Sequence, residues 1–248
     1  MNKRIYGCLP DKHDNRDLKY TRKIVDLPTK VDLSSNMPSV YDQENIGSCV
    51  FNAIAGGFEY LLPIEKKENF MPSRLFAYFN YREKEGNIQE DTGATIRGGF
   101  KICAKLGFCK ETNWPYDKNF FTTKPSIKAY NEGLNHQILK YERIRHLYDM
   151  KECLAEGYPF VAGIKIYTSF ESSTVAKTGI VPMPDIEKEE LFGGHAVLVV
   201  GYDDTTSMVK VRNSWSEKWG DKGYFYLPYH FITDINLASD FWTIRLTE

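Results

Sequence analysis

Apolar residues recur at helical spacing in three stretches of the first half of the chain. The clearest repeat predicts a buried helix over 49–62, on the side chains of Phe51, Ile54, Ala55, Phe58, Leu61 and Leu62. A second helix is predicted over 72–81, with Pro72 near its start and an aromatic face turned inward. A third is predicted over 96–106, ended by Gly107.

The pattern changes after about residue 135. Residues 141–145 alternate as in a strand, and 150–157 form a short helix with a glycine stop. Further strands are predicted over 160–166, 196–200, 208–212, 223–227 and 241–246. A helical first half and a largely β second half indicate an α+β fold with two subdomains and a cleft between them.

Cys49 lies in the first turn of the predicted helix over 49–62, after the flexible pair Gly47-Ser48. Free N–H groups and the helix dipole favour a thiolate at that position. Taken alone, however, one cysteine is more simply a small core residue. Gly56 and Gly57 each cost about 1 kcal/mol in a helix. They indicate either close packing against a neighbour or an early end of the helix.

Composition and charge exclude several classes of function. The net charge of -1 argues against a nucleic-acid binder, because phosphate neutralisation needs a basic face. No apolar run approaches the roughly 18 residues of a membrane helix. The N-terminus lacks the apolar region of a signal peptide, and five cysteines show no metal-site spacing. We therefore expect a cytoplasmic protein with no cofactor and no metal, while packaging into a particle or non-classical export stays open.

Three further residues have the chemistry that a cysteine nucleophile needs: a base, a group that orients it, and an oxyanion donor. His195 follows two glycines and opens an apolar run typical of a buried strand. Asn213 follows another predicted strand, and Trp215 beside it could shield its hydrogen bond from water. Gln43 lies six residues before Cys49. Singly, these are a core histidine, a turn asparagine and a surface glutamine.

Together the motifs form three blocks in a fixed order: Gln43 with Gly47-Ser48-Cys49, then Gly194-His195-Ala196 with Gly201-Tyr202, then Asn213-Ser214-Trp215 with Trp219-Gly220 and Gly223-Tyr224. This set resembles the papain/cathepsin family of cysteine peptidases over about 28–246. The resemblance implies a helical left lobe over about 34–134 and a β-barrel-like right lobe over about 135–246. The active site would lie in the cleft between the two lobes.

The resemblance also implies the roles of individual residues. Cys49 would attack as a thiolate paired with protonated His195, Asn213 would orient His195, and Gln43 with the Cys49 N–H would form the oxyanion hole. The residues implied to bind substrate are Gly93, Ala94, Gly194, Trp215 and Ala238. Ala238 or Ser239 would form the floor of an apolar pocket for the second residue before the cut.

The chain departs from the family's pattern in places. Ile46 stands where the family usually has a disulfide-bonded cysteine, and Val50 stands where a tryptophan commonly follows the nucleophile. We expect a form without the long prodomain, in which residues 1–27 are an extended polar arm that acts as a lid over the cleft or as a brace. The peptidase domain would be 28–248.

The expected activity is that of a monomeric cysteine endopeptidase, with polypeptide substrates and protein inhibitors as partners, and without nucleic acid or membrane. A catalytically silent or autoinhibited binding module and a Cys/His acyltransferase are the alternatives. The sequence leaves open the natural substrate, endo- against exopeptidase action, and the disulfide state of Cys8, Cys103, Cys109 and Cys153.

Overall fold

A computed structural model describes residues 4–21 and 26–248, and within these ranges the predicted α+β fold is confirmed. The predicted helices over 49–62, 72–81 and 96–106 are present with slightly different ends. The helices are α1 Cys49–Ile64, α2 Arg74–Glu85, α3 Ile96–Leu106, α4 Ile127–Gly133, α5 Leu147–Ala155, α6 Ser173–Thr178 and α7 Tyr229–Thr233.

Most strands belong to one antiparallel sheet. The strands are β1 Cys8–Leu9, β2 Lys30–Asp32, β3 Ala94–Thr95, β4 Ile138–Ile144, β5 Phe160–Tyr167, β6 Leu191–Asp203, β7 Met208–Arg212, β8 Tyr224–Pro228 and β9 Ala238–Thr247. In the described part of the chain the order in this seven-stranded sheet is β4-β9-β5-β6-β7-β8, and β2 pairs with the far part of β6. The long strand β6 therefore lies near the centre of the sheet.

Helix α1 packs against β6, and this contact brings the two halves of the chain together. All of residues 49–62 are buried, as the dense apolar repeat predicts. Gly56 and Gly57 lie inside α1, where a Cβ would meet Arg212 Nε at 3.3 Å and Leu198 Cδ1 at 3.4 Å. The glycines therefore serve close packing of the helix on the sheet and do not end the helix.

Residues 4–21, which we call the arm, run across the face where α1 meets β6. Strand β1 of the arm pairs in parallel with β3, and Gly7 forms a parallel bridge with Gly194 on β6. Farther along, Lys19 bridges Arg143 on β4. The predicted arm over 1–27 also includes 1–3 and 22–25, which lie outside the described residues.

No helix within 4–21 or 26–248 is both long and apolar enough to cross a bilayer.

Candidate active site

Cys49 is the first residue of α1, and its side chain is fully buried. The turn before it is held by the Gly47 N–H, which donates to Asp91 Oδ2 at 2.8 Å, and by Asn52 Nδ2, which donates to Ser48 O at 3.0 Å. The backbone N–H groups of Ala196, Gly7 and Val50 surround the thiol. The sulfur thus lies between α1, strand β6 and the arm.

His195 and Asn213 lie on the opposite wall, on β6 and directly after β7. The His195 Nε2 lies 2.9 Å from Asn213 Oδ1, which also accepts the Ser214 N–H at 2.8 Å. A backbone N–H can only donate, so the asparagine atom in both contacts is the oxygen, and Nε2 must be the protonated nitrogen. In the neutral ring, Nδ1 then has the free lone pair that a general base requires.

The His195 Nδ1 is buried, and among the described residues it has no hydrogen-bond partner. No hydrogen bond joins it to Cys49 in the described ranges, although the thiol lies beside the N–H of the next residue, Ala196. Buried polar atoms are rarely left without a partner in native proteins. An unpaired Nδ1 at this place is consistent with a base that pairs with the Cys49 thiol only when a ligand occupies the cleft.

Trp215 shields the histidine and its hydrogen bond. Its ring stacks on the His195 ring with centroids 5.0 Å apart and an interplanar angle of 24°. Trp219 packs edge-on against Trp215 at 4.8 Å, and Phe170 does so at 5.6 Å. This aromatic cluster lowers the local dielectric, which strengthens the contact between His195 and Asn213.

Gln43 is buried and held at both ends of its amide. Its Oε1 accepts the hydroxyl of Ser214 at 2.5 Å, and its Nε2 donates to Ile46 O at 3.0 Å. Its own N–H donates to Ser214 O at 2.9 Å. One hydrogen of Nε2 stays available for an oxyanion. Ser214 fixes this residue, a function that the sequence reasoning missed although Ser214 belongs to the motif that contains Asn213.

The arm occupies the cleft between these two walls. The Ala94 N–H donates to Gly7 O at 2.7 Å, and Tyr6 packs edge-on against His195 at 6.1 Å. The Arg4 guanidinium carbon lies 3.7 Å above the Trp215 ring. Since Cys49 and His195 are both 0% exposed, no substrate can reach the thiol while the arm is in this position.

Four of the five residues implied to bind substrate lie against the arm. Gly93 and Ala94 flank Gly7, Gly194 bridges it, and Trp215 meets Arg4. The fit is close: a Cβ on Gly93 would lie 2.1 Å from Gly7 O. These positions therefore already bind an extended polypeptide backbone, which here belongs to the chain itself.

The fifth residue, Ala238, lies at one edge, on β9. It lines a cavity of about 550 Å³ together with Ser239 and Asp240, with arm residues on the other side. The Cys8 side chain lies close to Gly163. A Cβ on Gly163 would be 3.5 Å from Cys8 Sγ and from Ile96 Cδ1, and 3.2 Å from Ser239 O. The cavity is lined by charged as well as apolar residues, among them Asp240, which follows directly on β9.

Burial under the arm sets the charges of the pair. It raises the pKa of Cys49 to about 11, although nearby backbone N–H groups oppose the rise. It lowers the pKa of His195 to about 4, with the positive charge of Arg4 adding to the effect and the Asn213 hydrogen bond opposing it. The helix position favours a thiolate, but in the covered cleft desolvation outweighs it, and the pair is neutral.

The remaining chemistry of the chain is simple. All five cysteines lie in the described ranges and carry free thiols, which answers the question left open for Cys8, Cys103, Cys109 and Cys153. Among the described residues, no group of three histidine, cysteine or acidic side chains is placed to hold a metal ion.

Comparisons with known proteins agree with this geometry. A family model described as papain family cysteine protease matches residues 27–241. An uncharacterized peptidase C1-like protein of Acanthamoeba polyphaga mimivirus is 43% identical over 90% of this chain and 73% of its own length. A viral cathepsin of Adoxophyes honmai nucleopolyhedrovirus is 26% identical over 87% of this chain, which spans 58% of that protein.

Among solved structures, xylellain, a cysteine protease from Xylella fastidiosa, superposes with a TM-score of 0.91 and 40% identity. The match covers 100% of this chain and 99% of xylellain.

Proposed function

The chain belongs to the papain family of cysteine proteases, and we propose that it is an endopeptidase whose nucleophile is Cys49. The observation that carries the proposal is the hydrogen bond from His195 Nε2 to Asn213, which leaves Nδ1 as an unpaired base on the wall facing the thiol. Gln43, fixed by Ser214 on the same side as Cys49, supplies the oxyanion donor.

In the proposed reaction, the Cys49 thiol transfers its proton to His195 Nδ1 and the sulfur attacks the carbonyl carbon of the substrate. The carbonyl oxygen takes the negative charge and accepts hydrogen bonds from Gln43 Nε2 and the Cys49 N–H. The C–N bond breaks as His195 gives its proton to the leaving amine. A water molecule, deprotonated by His195, then hydrolyses the thioester and restores the thiol.

The path of the arm supports endopeptidase action. Arg4 and Tyr6 lie on the Trp215 side of Cys49, whereas Cys8 and Leu9 lie on the Ala94 side. The cleft therefore holds a chain that continues in both directions past the nucleophile. An exopeptidase needs one end of the cleft closed, whereas the described arm extends from the nucleophile in both directions.

We propose that the arm is a lid that keeps the enzyme inactive until it moves. It buries Cys49 and His195 and holds both in their uncharged forms, so the ion pair needed for attack is absent. When the arm leaves, water and substrate dipoles reach both groups, the pKa of Cys49 falls and the pKa of His195 rises. The thiolate and the imidazolium then form together.

Labelling with an epoxide-type thiol inhibitor tests the function. The full chain with Gly7→Ala, which displaces the arm, is incubated with the inhibitor, the modified residue is located by mass spectrometry, and peptide hydrolysis is followed in parallel. We expect modification of Cys49 and loss of hydrolysis together, with no hydrolysis by Cys49→Ala. A chain whose Cys49 is labelled but which hydrolyses no peptide, even when the arm is displaced, would instead be a silent binding module.

A further inference from the structure

The arm is fastened to the body by two carboxylates, Asp11 and Asp17. The Asp11 carboxylate accepts the Arg97 N–H at 3.0 Å through Oδ1 and Trp242 Nε1–H at 2.9 Å through Oδ2. The Asp17 carboxylate accepts Arg97 Nε at 2.8 Å and Nη2 at 2.6 Å, and also Arg143 Nη1 at 3.1 Å. These donors come from Arg97 (backbone N–H and side chain), Arg143 and Trp242, and we call them together the carboxylate site.

The carboxylate site belongs to three rigid elements of the body. Arg97 is the second residue of α3, so its N–H is among those that no helix carbonyl satisfies. Arg143 lies on β4 and Trp242 on the neighbouring strand β9. The donors are therefore placed by helix and sheet geometry and stay in position when the arm moves.

Arg97 depends on the arm for its partners. In the part of the chain that the structure describes, its Nε and Nη2 donate to Asp17 and its Nη1 donates to Lys12 O, all three acceptors being in the arm. Its side chain is only 9% exposed. The arm supplies part of this cover, so its withdrawal removes all three acceptors and exposes the guanidinium to water. An incoming carboxylate would replace the lost hydrogen bonds with charge-assisted ones.

The charges favour an acidic group as the replacement. Of the body residues, Arg97 and Arg143 are cationic and Asp240 is anionic, with Asp240 Oδ1 accepting Arg143 Nη2 at 2.5 Å. The body alone thus has one net positive charge at this place, and the two arm carboxylates over-compensate it. One acidic side chain would match the site once the arm is displaced.

The carboxylate site lies along the path that an extended substrate would follow through the cleft. Arg97 follows β3 by two residues, and β3 is the strand on which the arm backbone lies. Gly7 lies beside Cys49, and Asp11 is four residues farther along the arm. An extended chain rises about 3.3 Å per residue. The carboxylate site is therefore about three to four residues from the bond to be cut, on the side of the pocket near Ser239.

We propose that the carboxylate site, once the arm withdraws, binds an acidic side chain of the polypeptide substrate about three to four residues before the cut. This inference rests on the proposed function for the identity of its ligand as a substrate. It assigns to Arg97 and Arg143 a selection for acidic segments, and it explains why the arm places two carboxylates, Asp11 and Asp17, at this site in the closed state.

Peptide binding to the full chain tests the inference without requiring turnover. The protein has Gly7→Ala, Asp11→Asn and Asp17→Asn, to displace the arm and free the carboxylate site, and Cys49→Ala, to prevent cleavage. Two fluorescein-labelled peptides are compared by anisotropy, one with Glu at the third and fourth positions before the central bond and one with Gln. Hydrogen bonds to a charged group lead us to expect at least about tenfold tighter binding of the Glu peptide.

Arg97→Gln in this background should reduce the Glu-over-Gln ratio to near 1. Lys101→Gln, an exposed position on the same helix, removes the same charge and should keep the ratio. Where Arg97→Gln fails to fold, Arg97→Lys takes its place and should give an intermediate ratio, because lysine keeps the charge but not the fork of donors.

Equal binding of the two peptides, no binding of either, or a ratio unchanged by Arg97→Gln would overturn the inference. Hydrolysis by the Gly7→Ala chain with Cys49 intact is measured beside it. A Glu preference in binding without any hydrolysis would refute the proposed peptidase and leave the acidic recognition standing. Hydrolysis of both peptides together with equal binding would support the proposed peptidase and refute the acidic recognition.

Discussion

Replacing Gly7 by alanine should open the cleft. Gly7 is not among the glycines with positive φ, so its effect is steric. A Cβ at this position would lie 2.1 Å from Gly47 O and 2.7 Å from Gly47 C. Real Cβ contacts essentially never fall below 3.0 Å, so the arm must move away by at least about 0.9 Å. The opposing atoms are backbone atoms of the turn before α1, which cannot rotate aside.

That movement breaks the contacts which seat the arm. The hydrogen bond from the Ala94 N–H to Gly7 O is 2.7 Å long, and lengthening it by 0.9 Å takes it beyond hydrogen-bond range. The Gly7 N–H beside the Cys49 sulfur and the Tyr6 ring packing shift with it. At about 1 kcal/mol per contact, the arm loses about 2–3 kcal/mol, or roughly 30- to 150-fold in its closed population.

The assay is the second-order rate of Cys49 modification by an epoxide-type inhibitor, located by mass spectrometry. We expect Gly7→Ala to be labelled about 30- to 150-fold faster than wild type. Asn15→Ala, an exposed arm substitution, should label at the wild-type rate. Circular dichroism checks that the body stays folded. Equal rates for wild type and Gly7→Ala would refute the reasoning that the arm controls access to the thiol.

Further predictions concern the groups around the thiol, all in the Gly7→Ala background unless stated. Asn213→Ala should lower kcat/KM by about 10²-fold, since His195 loses the partner that fixes its tautomer; unchanged hydrolysis contradicts this. Gln43→Ala should lower kcat by about 10²- to 10³-fold with little change in KM, and should slow epoxide labelling far less, because alkylation makes no oxyanion. Ser214→Ala leaves Gln43 Oε1 without its donor and should lower the free energy of unfolding by about 1–3 kcal/mol. It should also lower kcat and leave KM unchanged. A loss of stability with unchanged kcat would limit Ser214 to a structural role. In the wild-type chain, burial holds the pKa of His195 at about 4, so protonation of the ring favours the open arm. The free energy that favours arm closure should therefore fall by at most about 3 kcal/mol as the pH falls from 6.5 towards 4. An NMR titration of the closed chain that gives a His195 pKa of 6.5 would contradict this.

Much of the site could be predicted because its motifs are local. Cys49 opens a helix whose apolar repeat is dense, and His195 directly precedes a continuous apolar run that lies within β6, so both residues could be assigned to elements from the sequence. Gln43 belongs to the block that contains Cys49, and Asn213 belongs to the third block, with Ser214 and Trp215. The structure brings Gln43, His195 and Asn213 to one buried region around Ser214.

The path of the arm could not be predicted from the sequence. Residues 4–21 are polar and lack any repeat, and their position depends on residues that are distant in sequence, such as Arg97, Arg143 and Trp242. Because the path of the arm was unknown, the expectation of a thiolate at Cys49 depended only on the free N–H groups and the dipole of the helix. The burial that the arm imposes reverses the expected charge state in the closed cleft.

The short helices were missed for a different reason. Helices α4, α6 and α7 have seven, six and five residues, too few for an apolar repeat to show. In contrast, β6 was predicted over 196–200 but extends over Leu191–Asp203. Its first residues include Gly193 and Gly194, which have low strand propensity but pair with β5 and with the arm.

The most direct test of the account compares peptide hydrolysis by full-length Gly7→Ala with that by Gly7→Ala/Cys49→Ala. We expect the first protein to hydrolyse an internal peptide bond and to form a thioester on Cys49 that mass spectrometry detects after acid quenching. We expect the second protein to hydrolyse no peptide. Hydrolysis at comparable rates by both proteins would contradict the claim that the Cys49 sulfur attacks the substrate.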